Sequence, residues 1–561
     1  MTFRVSGVAV TPLSGLGTVR WYRTGGIPGA ESVEADDPET ELERFEEARG
    51  SAREELQRER ERTAERVGRE EAAVFDAHLQ FLDDPQITDS IEEAIEEGDA
   101  AEVGVDRAFG DAIDQFEGMD GMMAERADDM RDIRDRLRRL LAGDERIDLS
   151  AVPEGTVILA ERLTPSDTAQ LDPARVAGFA TVTGGRTSHA AIFARSLGIP
   201  AVVGVGEELL EIEEQTTVAI DAEKDAVIVD PDEGTRERVS ATRDVEIRTE
   251  PVETTDGTEI EVAANVGTSA ELQGATRQGA DGIGLYRTEF LFLDREQPPD
   301  EDEQLEVYTD ALDAFPDGRI VVRTLDIGGD KPIPYLDADE EENPFLGDRG
   351  IRRSLDADAD LFESQLRALL RAATEGAGRL SVMFPLVTTV EELDGALDTV
   401  DQVATTLEKE GIPYAVPEIG VMIETPAAVT MAEELAERVD FFSIGTNDLA
   451  QYVMAASRES DAVADLHDPL HPAVLRSIRR SVEAAHDTDA WIGMCGEMAG
   501  DPDLTELLVG LGLDELSMSA VTIPTVKAEV TATESETARE LADRVLSAST
   551  KAEVHEYLEG E

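Results

Sequence analysis

A regular alternation of strand-like and helix-like segments in the second half of the chain limits the possible folds more than any other feature. From residue 257 onward, short apolar runs alternate eight times with stretches of helical periodicity. The predicted strands span residues 260–267, 282–292, 320–327, 381–387, 419–424, 441–448, 491–495 and 515–520. Eight such units in succession predict a (β/α)8 barrel of the TIM type, whose active site would lie at the C-terminal ends of the strands.

Polar side chains gather at the ends of these predicted strands. A barrel that served only as a scaffold would carry ordinary loop residues there, whereas this sequence supplies arginines, carboxylates, amides and a thiol. The residues concerned are Asn265, Arg287, Arg323, Glu424, Asn447, Asp448 and Cys495. The C-terminal face of the predicted barrel is therefore a candidate active site.

The residues before the barrel predict two further domains. β-rich runs in 1–24 and 145–230 indicate an α/β domain, and the charged helical sequence of 25–144 indicates a helical domain inserted into it. Residues 231–250 lack an apolar stripe and are expected to form a linker or a linker helix, which leaves 251–561 for the barrel domain. Within the helical domain, apolar residues recur at spacings of three and four, as at Leu42, Phe45, Ala48, Ala52 and Leu56.

The chain is very acidic, with 124 Asp and Glu residues against 50 Lys and Arg and a formal charge of −74. These charges are spread along the whole chain, which is typical of a hydrated surface in a protein that works in concentrated salt. They argue against binding to nucleic acid or to anionic membranes. The single cysteine excludes an internal disulfide, and the lack of a signal peptide or a long apolar run predicts a cytoplasmic protein without membrane insertion.

One histidine stands at the expected start of a helix in the α/β domain. The sequence Gly-Gly-Arg-Thr-Ser-His-Ala-Ala-Ile-Phe places His189 between a glycine turn and an apolar helical run. Free N–H groups and the positive end of the helix dipole favour a bound dianion there and keep the imidazole neutral and nucleophilic. His189 is thus a candidate carrier of a phosphoryl group, although an isolated Gly-Gly-x-x-x-His motif fits a histidine that only caps a helix equally well.

Five long motifs of the barrel half, together with the His189 segment, resemble enzyme I of the phosphoenolpyruvate-dependent sugar phosphotransferase system. They are Gly-Ile-Gly-Leu-Tyr-Arg-Thr-Glu-Phe-Leu-Phe, Val-Arg-Thr-Leu-Asp-Ile-Gly-Gly-Asp-Lys, Gly-Val-Met-Ile-Glu-Thr-Pro-Ala, Ser-Ile-Gly-Thr-Asn-Asp-Leu-Ala-Gln-Tyr and Gly-Met-Cys-Gly-Glu-Met-Ala-Gly. The resemblance covers nearly the whole chain and includes the order of the domains. It implies a swivelling α/β phosphohistidine domain with an inserted helical bundle, followed by a phosphoenolpyruvate-binding barrel.

The resemblance also implies how the substrate is held. Arginine forks suit a phosphate, and the implied substrate-binding residues are Arg287, Arg323, Asn447, Asp448, Arg458, Arg349 and Lys331. Mg2+ prefers one or two carboxylates together with substrate oxygens, and the implied ligands are Glu424 and Asp448.

For the chemistry itself, the family implies that His189 attacks phosphorus and that Cys495 protonates the enolate of pyruvate. A thiol near its ordinary pKa of ~8.5 keeps its proton at neutral pH, as a general acid must. Thr168 and Arg186 are expected to support the ring and the phosphoryl group.

Two protein contacts follow from the same resemblance. The helical domain would bind the phosphocarrier protein HPr, and the barrel would form a homodimer. Because His189 belongs to a different domain from the barrel, its domain would have to swing between the substrate and the carrier.

Two alternatives remain at this stage. A phosphoenolpyruvate synthase or dikinase needs an ATP-binding domain, yet no Gly-rich phosphate loop precedes residue 152, and the Thr-Ser-His triplet at 187–189 favours enzyme I. A non-catalytic regulator on this fold would show the loss of a functional residue, whereas all of the motif positions are intact.

Overall fold

Two units, residues 1–244 and 245–561, make up the chain in the computed structural model. The structure describes residues 3–11, 13–22, 35, 37–66, 69–117, 122–143, 149–168, 170–173, 175–185, 189–222, 224–241, 245–293, 295, 297–328, 333, 335–336, 341, 343–457, 463 and 466–559. Among the helices in these ranges, none combines the length and the apolar character needed to cross a bilayer.

The first unit contains a mixed sheet that has eight strands within the described residues. They are β1 (Phe3–Ser6), β2 (Val8–Ala9), β3 (Gly15–Tyr22), β4 (Thr156–Ala160), β5 (Val176–Thr181), β6 (Ala201–Val203), β7 (Thr217–Asp221) and β8 (Ala226–Val229). Their order is β1-β8-β7-β3-β4-β5-β6-β2, in which β3 to β6 are mutually parallel and every other pairing is antiparallel. Strands β4 and β5 are buried along their whole length, as expected for parallel strands covered on both faces.

Five helices lie between β3 and β4 in the described part of the chain and confirm the predicted helical insertion. They are α1 (Pro38–Arg66), α2 (Arg69–Leu82), α3 (Pro85–Glu96), α4 (Ala101–Glu117) and α5 (Met122–Ala142). The residues of α1 that recur at spacings of three and four do face the core of this bundle. Four of them are buried and Leu42 packs at the edge of the same core, the four being Phe45, Ala48, Ala52 and Leu56.

The remaining helices of this unit are α6 (Pro165–Thr168), α7 (His189–Leu197) and α8 (Glu233–Ala241). Phe193 of α7 is fully buried in the core of the helical bundle, so α7 connects the bundle with the α/β layer. Helix α8 lies within the segment predicted to be a linker or a linker helix. Its Arg238 pairs with the buried Asp221 at the end of β7, at 2.5 Å. The exact domain boundaries remain a prediction.

The second unit is a closed barrel of eight parallel strands, which confirms the prediction from the alternation. A short β9 (Val252–Glu253) precedes it and pairs antiparallel with the first barrel strand. The barrel strands are β10 (Glu259–Val266), β11 (Ile283–Arg287), β12 (Arg319–Arg323), β13 (Arg379–Phe384), β14 (Glu418–Ile423), β15 (Phe441–Gly445), β16 (Trp491–Cys495) and β17 (Glu515–Met518). Pairing of β11 with β10 closes the ring.

Helices surround the barrel and follow its strands. They are α9 (Ser269–Arg277), α10 (Glu301–Ala314), α11 (Ile351–Leu355), α12 (Ala359–Glu375), α13 (Val390–Glu410), α14 (Pro426–Thr430), α15 (Ala432–Ala436), α16 (Thr446–Met454), α17 (Pro472–His486), α18 (Thr505–Leu511), α19 (Ile523–Ala532), α20 (Ser535–Ser547) and α21 (Lys551–Glu559). Capping boxes at Asp300 and Thr389 fix the starts of α10 and α13.

Several predicted strands extend too far at their C-terminal ends. The strand predicted over 441–448 ends at Gly445 because Thr446 begins α16. The strand predicted over 282–292 ends at Arg287 and continues as a 3-10 turn, Thr288–Leu291. Apolar residues continue beyond both strand ends, and hydrophobicity alone cannot distinguish a strand from the buried helical turn that follows it.

The lower interior of the barrel, at the N-terminal ends of the strands, is polar and aromatic rather than aliphatic. The guanidinium of Arg319 lies 3.9 Å from the centre of the Trp491 ring, and that ring stacks on Phe441 at 4.4 Å. Arg319 also pairs with Glu261 at 3.1 Å, and Glu515 is buried beside them. Branched aliphatic residues usually fill these layers, so the polar interior is a specific feature of this barrel.

Candidate active site at the barrel mouth

All seven polar residues expected at the strand ends lie at the C-terminal end of the barrel. Those on a strand or directly after one are Asn265, Arg287, Arg323, Glu424 and Cys495. The other two, Asn447 and Asp448, occupy the first turn of α16 instead of a strand end, because β15 is shorter than predicted. The fold therefore brings arginines, carboxylates and a thiol from distant parts of the sequence to one end of the barrel.

Arg323 is held rigidly at the end of β12. Its side chain is buried and pairs with Glu289 through Nη2 and with Asp326 through Nη1, the latter at 3.2 Å. Burial disfavours its charge, but the carboxylates of Glu289 and Asp326 outweigh that effect and raise the pKa of Arg323 above its ordinary value. Arg323 is therefore a fixed positive charge that is preorganised to bind an anion.

A second arginine, Arg349, shares the same carboxylate. It contacts Asp326 at 3.3 Å, and its guanidinium lies 5.3 Å from the centre of the Phe345 ring. Arg287 is more exposed, at 3.7 Å from Glu271 and 5.1 Å from the centre of the Phe290 ring. The mouth of the barrel thus contains three arginines whose positions are set by carboxylates or aromatic rings.

Glu424 is a buried carboxyl group with unusual surroundings. Burial raises the pKa of Glu424, and the nearby charges of Asp448 and Asp326 raise it further. Its Oε1 accepts a hydrogen bond of 2.6 Å from the backbone N–H of Leu386, a residue with the left-handed φ of 55°. This conformation is costly for leucine, and it aims an N–H group at the carboxylate, as strained backbone often does in a functional site.

Cys495 ends β16 beneath these charged groups. Its side chain is buried, and its Sγ lies 3.5 Å from the carbonyl oxygen of Ile444. Burial raises the pKa of the thiol to about 12, so the group keeps its proton at neutral pH. The backbone carbonyl of Cys495 accepts a hydrogen bond of 2.8 Å from Thr446, which fixes the strand end against α16.

In the first unit, helix α7 begins at His189, as the glycine turn predicted. The side chain of His189 and the residues Arg186, Lys331 and Arg458 lie outside the described part of the structure, so their roles remain predictions. Thr168 is buried on α6, and its hydroxyl donates to the carbonyls of Thr164 and Pro165 at 3.0 and 3.1 Å.

Sequence reasoning assigned no role to Glu289, Asp326 or Leu386, although all three shape the site. Glu289 and Asp326 lie inside the motifs that carry Arg287 and Arg323, and each follows its arginine by two or three residues. That short spacing could have marked them as partners of an arginine. The contribution of Leu386 is a backbone N–H, for which the side-chain sequence gives no signal.

Comparisons with known proteins agree with this geometry. Family models described as PEP-utilising enzyme match in three parts: the N-terminal part over 6–126, the mobile domain over 152–225 and the PEP-binding domain over 242–535. A phosphoenolpyruvate-protein phosphotransferase from Haloferax volcanii is 64% identical over 556 residues, which are 99% of this chain and 98% of that protein.

Two bacterial relatives of the same name cover nearly as much of the chain. One from Bacillus sp. is 44% identical over 568 residues, 99% of this chain and 97% of that protein, and one from Bacillus subtilis is 42% identical over 536 residues, 93% and 94%. The chain therefore belongs to the phosphoenolpyruvate-utilising enzymes and, within them, to the family of phosphoenolpyruvate-protein phosphotransferases. This membership confirms the family that the motifs predicted.

Proposed function

We propose that the chain takes the phosphoryl group of phosphoenolpyruvate onto His189 and passes it to the phosphocarrier protein HPr, the first step of sugar uptake by the phosphotransferase system. The main support is the barrel mouth, where Arg323, Glu424 and Cys495 meet. Phosphoenolpyruvate presents a phosphate, a carboxylate and an enol oxygen, and its cleavage leaves an enolate that needs a proton. In one place the barrel supplies the guanidinium of Arg323 to bind the phosphate, the carboxyl of Glu424 as an oxygen ligand for a metal ion, and the thiol of Cys495 as a proton donor.

Substrate binding is assigned to the arginines. Arg323 offers a guanidinium whose position is already fixed by Glu289 and Asp326, so little reorganisation is needed when the phosphate binds. Arg287 and Arg349 add two further cations at the same end of the barrel, and Arg458 and Lys331 are proposed as additional contacts. Asn447, in the first turn of α16, is proposed to donate its side-chain amide to the substrate.

A divalent cation, magnesium, is proposed to bind between Glu424 and Asp448. The two carboxylates are close enough to raise the pKa of Glu424, and oxygen ligands of this kind suit Mg2+ once substrate oxygens complete the set. Within the described residues no cluster of three or more acidic, His or Cys side chains could hold a metal by itself. When bound, the cation would neutralise charge on the phosphoryl group and the enol oxygen.

Proton and phosphoryl transfer are assigned to two residues. The lone pair of a neutral His189 imidazole attacks phosphorus as the bond from phosphorus to the enol oxygen breaks, and the leaving electrons form the enolate of pyruvate. The S–H proton of Cys495 then passes to the methylene carbon, which gives the methyl group of pyruvate. Thr168 and Arg186 are proposed to steady the ring and the phosphohistidine.

The partners follow from this assignment. We propose that HPr docks on the helical bundle, that the barrel forms a homodimer, and that the enzyme works in a salt-rich cytoplasm. A swinging of the α/β unit would carry His189 from the barrel to HPr. A synthase or dikinase reaction is disfavoured because the relatives over the full chain are named as phosphotransferases that act on a protein.

Labelling of the whole chain tests the function. In high salt with Mg2+, phosphoenolpyruvate labelled with 32P should place acid-labile phosphate on the protein, and His189→Ala should remain unlabelled. Cys495→Ala should impair the turnover of phosphoenolpyruvate but still pass phosphate from an already phosphorylated His189. Labelling by ATP in place of phosphoenolpyruvate would instead support a dikinase.

A further inference from the structure

Three residues on the inner face of the barrel stand in one row directly below Cys495. Ser443 on β15 pairs in register with Gly493 on β16, and Gly493 pairs with Glu515 on β17. Cys495 is two residues further along β16, so its side chain points to the same inner face. Because Gly493 has no side chain, the hydroxyl of Ser443 and the carboxyl of Glu515 face one another across it.

The carboxyl group of Glu515 fills the space that two glycines leave. A Cβ placed on Gly493 would lie 3.0 Å from Oε1 of Glu515, and one on Gly284 would lie 2.4 Å from the same atom. Glu515 is 1% exposed, and its Oε2 has no hydrogen-bond partner among the described residues. A buried carboxyl with an unsatisfied oxygen is costly, so its presence in the barrel interior calls for an explanation.

Ser443 lies across Gly493 from this carboxyl, one layer below the thiol. It is 2% exposed, and its hydroxyl is near enough to Cys495 to favour the thiolate form of that residue. Among the described residues the hydroxyl of Ser443, like Oε2 of Glu515, makes no hydrogen bond. The thiol, the hydroxyl and the carboxyl thus share one polar column in a packed interior, and hydrogen bonds along this column would satisfy both oxygens.

We propose that Glu515 and Ser443 return a proton to Cys495 from below after the thiol has protonated the enolate. This inference rests on the proposed function, which makes Cys495 the general acid. In the step, the Ser443 O–H proton moves to the sulfur as the Glu515 O–H proton moves to the Ser443 oxygen. The thiolate becomes a thiol, the hydroxyl is restored, and Glu515 is left as a carboxylate.

The pKa values of Cys495 and Glu515 agree with a proton transfer from the carboxyl to the thiolate. The pKa of the thiol is about 12, so a thiolate is a much stronger base than any carboxylate, and the proton moves downhill. Burial raises the pKa of Glu515, with a further contribution from Glu261, so that the carboxyl holds a proton before the step. The charged groups facing the two ends of the column are Glu261, Arg319 and Asp514 for Glu515, and Arg323 and Glu424 for Cys495.

Glu261 offers Glu515 a route to solvent at the lower end of the barrel. It pairs in register with Glu515, and its side chain remains 20% exposed. A proton from water can therefore pass through Glu261 to Glu515. The substrate end of the barrel could then stay closed to water during phosphoryl transfer, while the Cys495 thiolate is reprotonated from the N-terminal end of the strands.

Isotope exchange separates proton supply from the rest of the reaction. The protein is incubated in D2O with phosphoenolpyruvate, 13C-labelled pyruvate and Mg2+, and two rates are measured by NMR. The transfer of 13C into phosphoenolpyruvate reports the reversible chemistry, and the entry of deuterium into the pyruvate methyl group also requires exchange of the Cys495 proton. In the unmodified protein deuterium entry should keep pace with 13C transfer.

Glu515→Gln and Ser443→Ala should each lower the ratio of deuterium entry to 13C transfer at least about tenfold, because the same hydrogen then returns to the substrate. Ser517→Ala is the matched control, since Ser517 is equally buried and pairs in register with Cys495, but its hydroxyl donates to the carbonyl of Met494. The control should keep the unmodified ratio. A loss of packing alone would slow both rates together and leave the ratio unchanged.

The outcomes are distinct. If the ratio of deuterium entry to 13C transfer is unchanged in both variants, the proposal is overturned. If it is unchanged only in Glu515→Gln, Glu515 is not the source of the proton. If Glu515→Gln does not fold, the ratio in Ser443→Ala decides whether the thiol is recharged from below. A lack of 13C transfer in the unmodified protein, or a normal ratio in Cys495→Ala, would contradict the proposed function itself.

Discussion

Lys527→Met should destabilise the barrel unit strongly. The ammonium group of Lys527 is fully buried and lies 2.6 Å from the carboxylate of Asp281. It also donates to the carbonyls of Arg248 and Glu250 at 3.2 and 3.0 Å, and so ties the first residues of this unit to α19. Methionine fills similar space but leaves the Asp281 carboxylate buried with a single hydrogen bond among the described residues, from the N–H of Val262.

Removing one partner of a buried ion pair typically costs about 3–5 kcal/mol, and we expect a loss of unfolding free energy in that range. The chain has two tryptophans, Trp21 and Trp491, and the latter lies inside the barrel. If each variant is made in a Trp21→Phe background, the fluorescence change during guanidinium unfolding therefore reports the unfolding of the barrel alone. Lys409→Met serves as the control, because Lys409 is exposed at the end of α13 and its loss should change stability by less than about 0.5 kcal/mol.

A loss below about 1 kcal/mol in Lys527→Met would refute the reasoning that this pair is desolvated and intact. The double variant Lys527→Met with Asp281→Leu supplies a second check. It replaces both charges by apolar groups, and it should recover part of the lost stability. If the double variant were less stable than Lys527→Met, the cost would come from packing rather than from an unpaired charge.

Three further predictions concern the site and the bundle. Arg323→Lys should lower kcat/KM for phosphoenolpyruvate on the order of 10²-fold, because an ammonium cannot contact Glu289, Asp326 and a phosphate together. Because the pKa of Glu424 is raised, its protonated form, which binds a cation poorly, gains population as pH falls. Calorimetry should therefore show weaker binding of Mn2+ at lower pH. Glu424→Gln should remove this pH dependence. Phe45→Ala should cost about 3–5 kcal/mol in the unfolding of the helical bundle, measured by circular dichroism, because Phe45 is buried in its core.

Much of the fold could be predicted from the sequence because its signals are local. Alternation of strands and helices gave the barrel, and the spacing of Phe45, Ala48 and Ala52 gave the first helix of the bundle. The errors lie at the ends of strands, as where Thr446 begins a helix inside an apolar run. There the tertiary position of the segment, rather than its hydrophobicity, decides the conformation.

The site was predictable to the extent that its residues lie in long motifs. Arg323 and Glu424 were identified in this way, but the partners that set their charge and position were not. Asp326 acts on two arginines, one at the end of β12 and one 26 residues further along the chain, and the N–H of Leu386 reaches Glu424 from the neighbouring strand end. Such relations depend on strand register, and so does the row formed by Ser443, Gly493 and Glu515.

The distribution of charge explains how so acidic a chain can keep both a highly charged surface and a working active site. Salt screens exposed pairs such as Arg371 with Asp302, in which the acid is 83% exposed, but it hardly affects buried pairs such as Arg323 with Asp326. Surface repulsion should therefore depend strongly on salt, while the field that acts on the substrate should not. It follows that removing salt should first lower the stability of the fold, and that substrate affinity of the molecules that remain folded should change less.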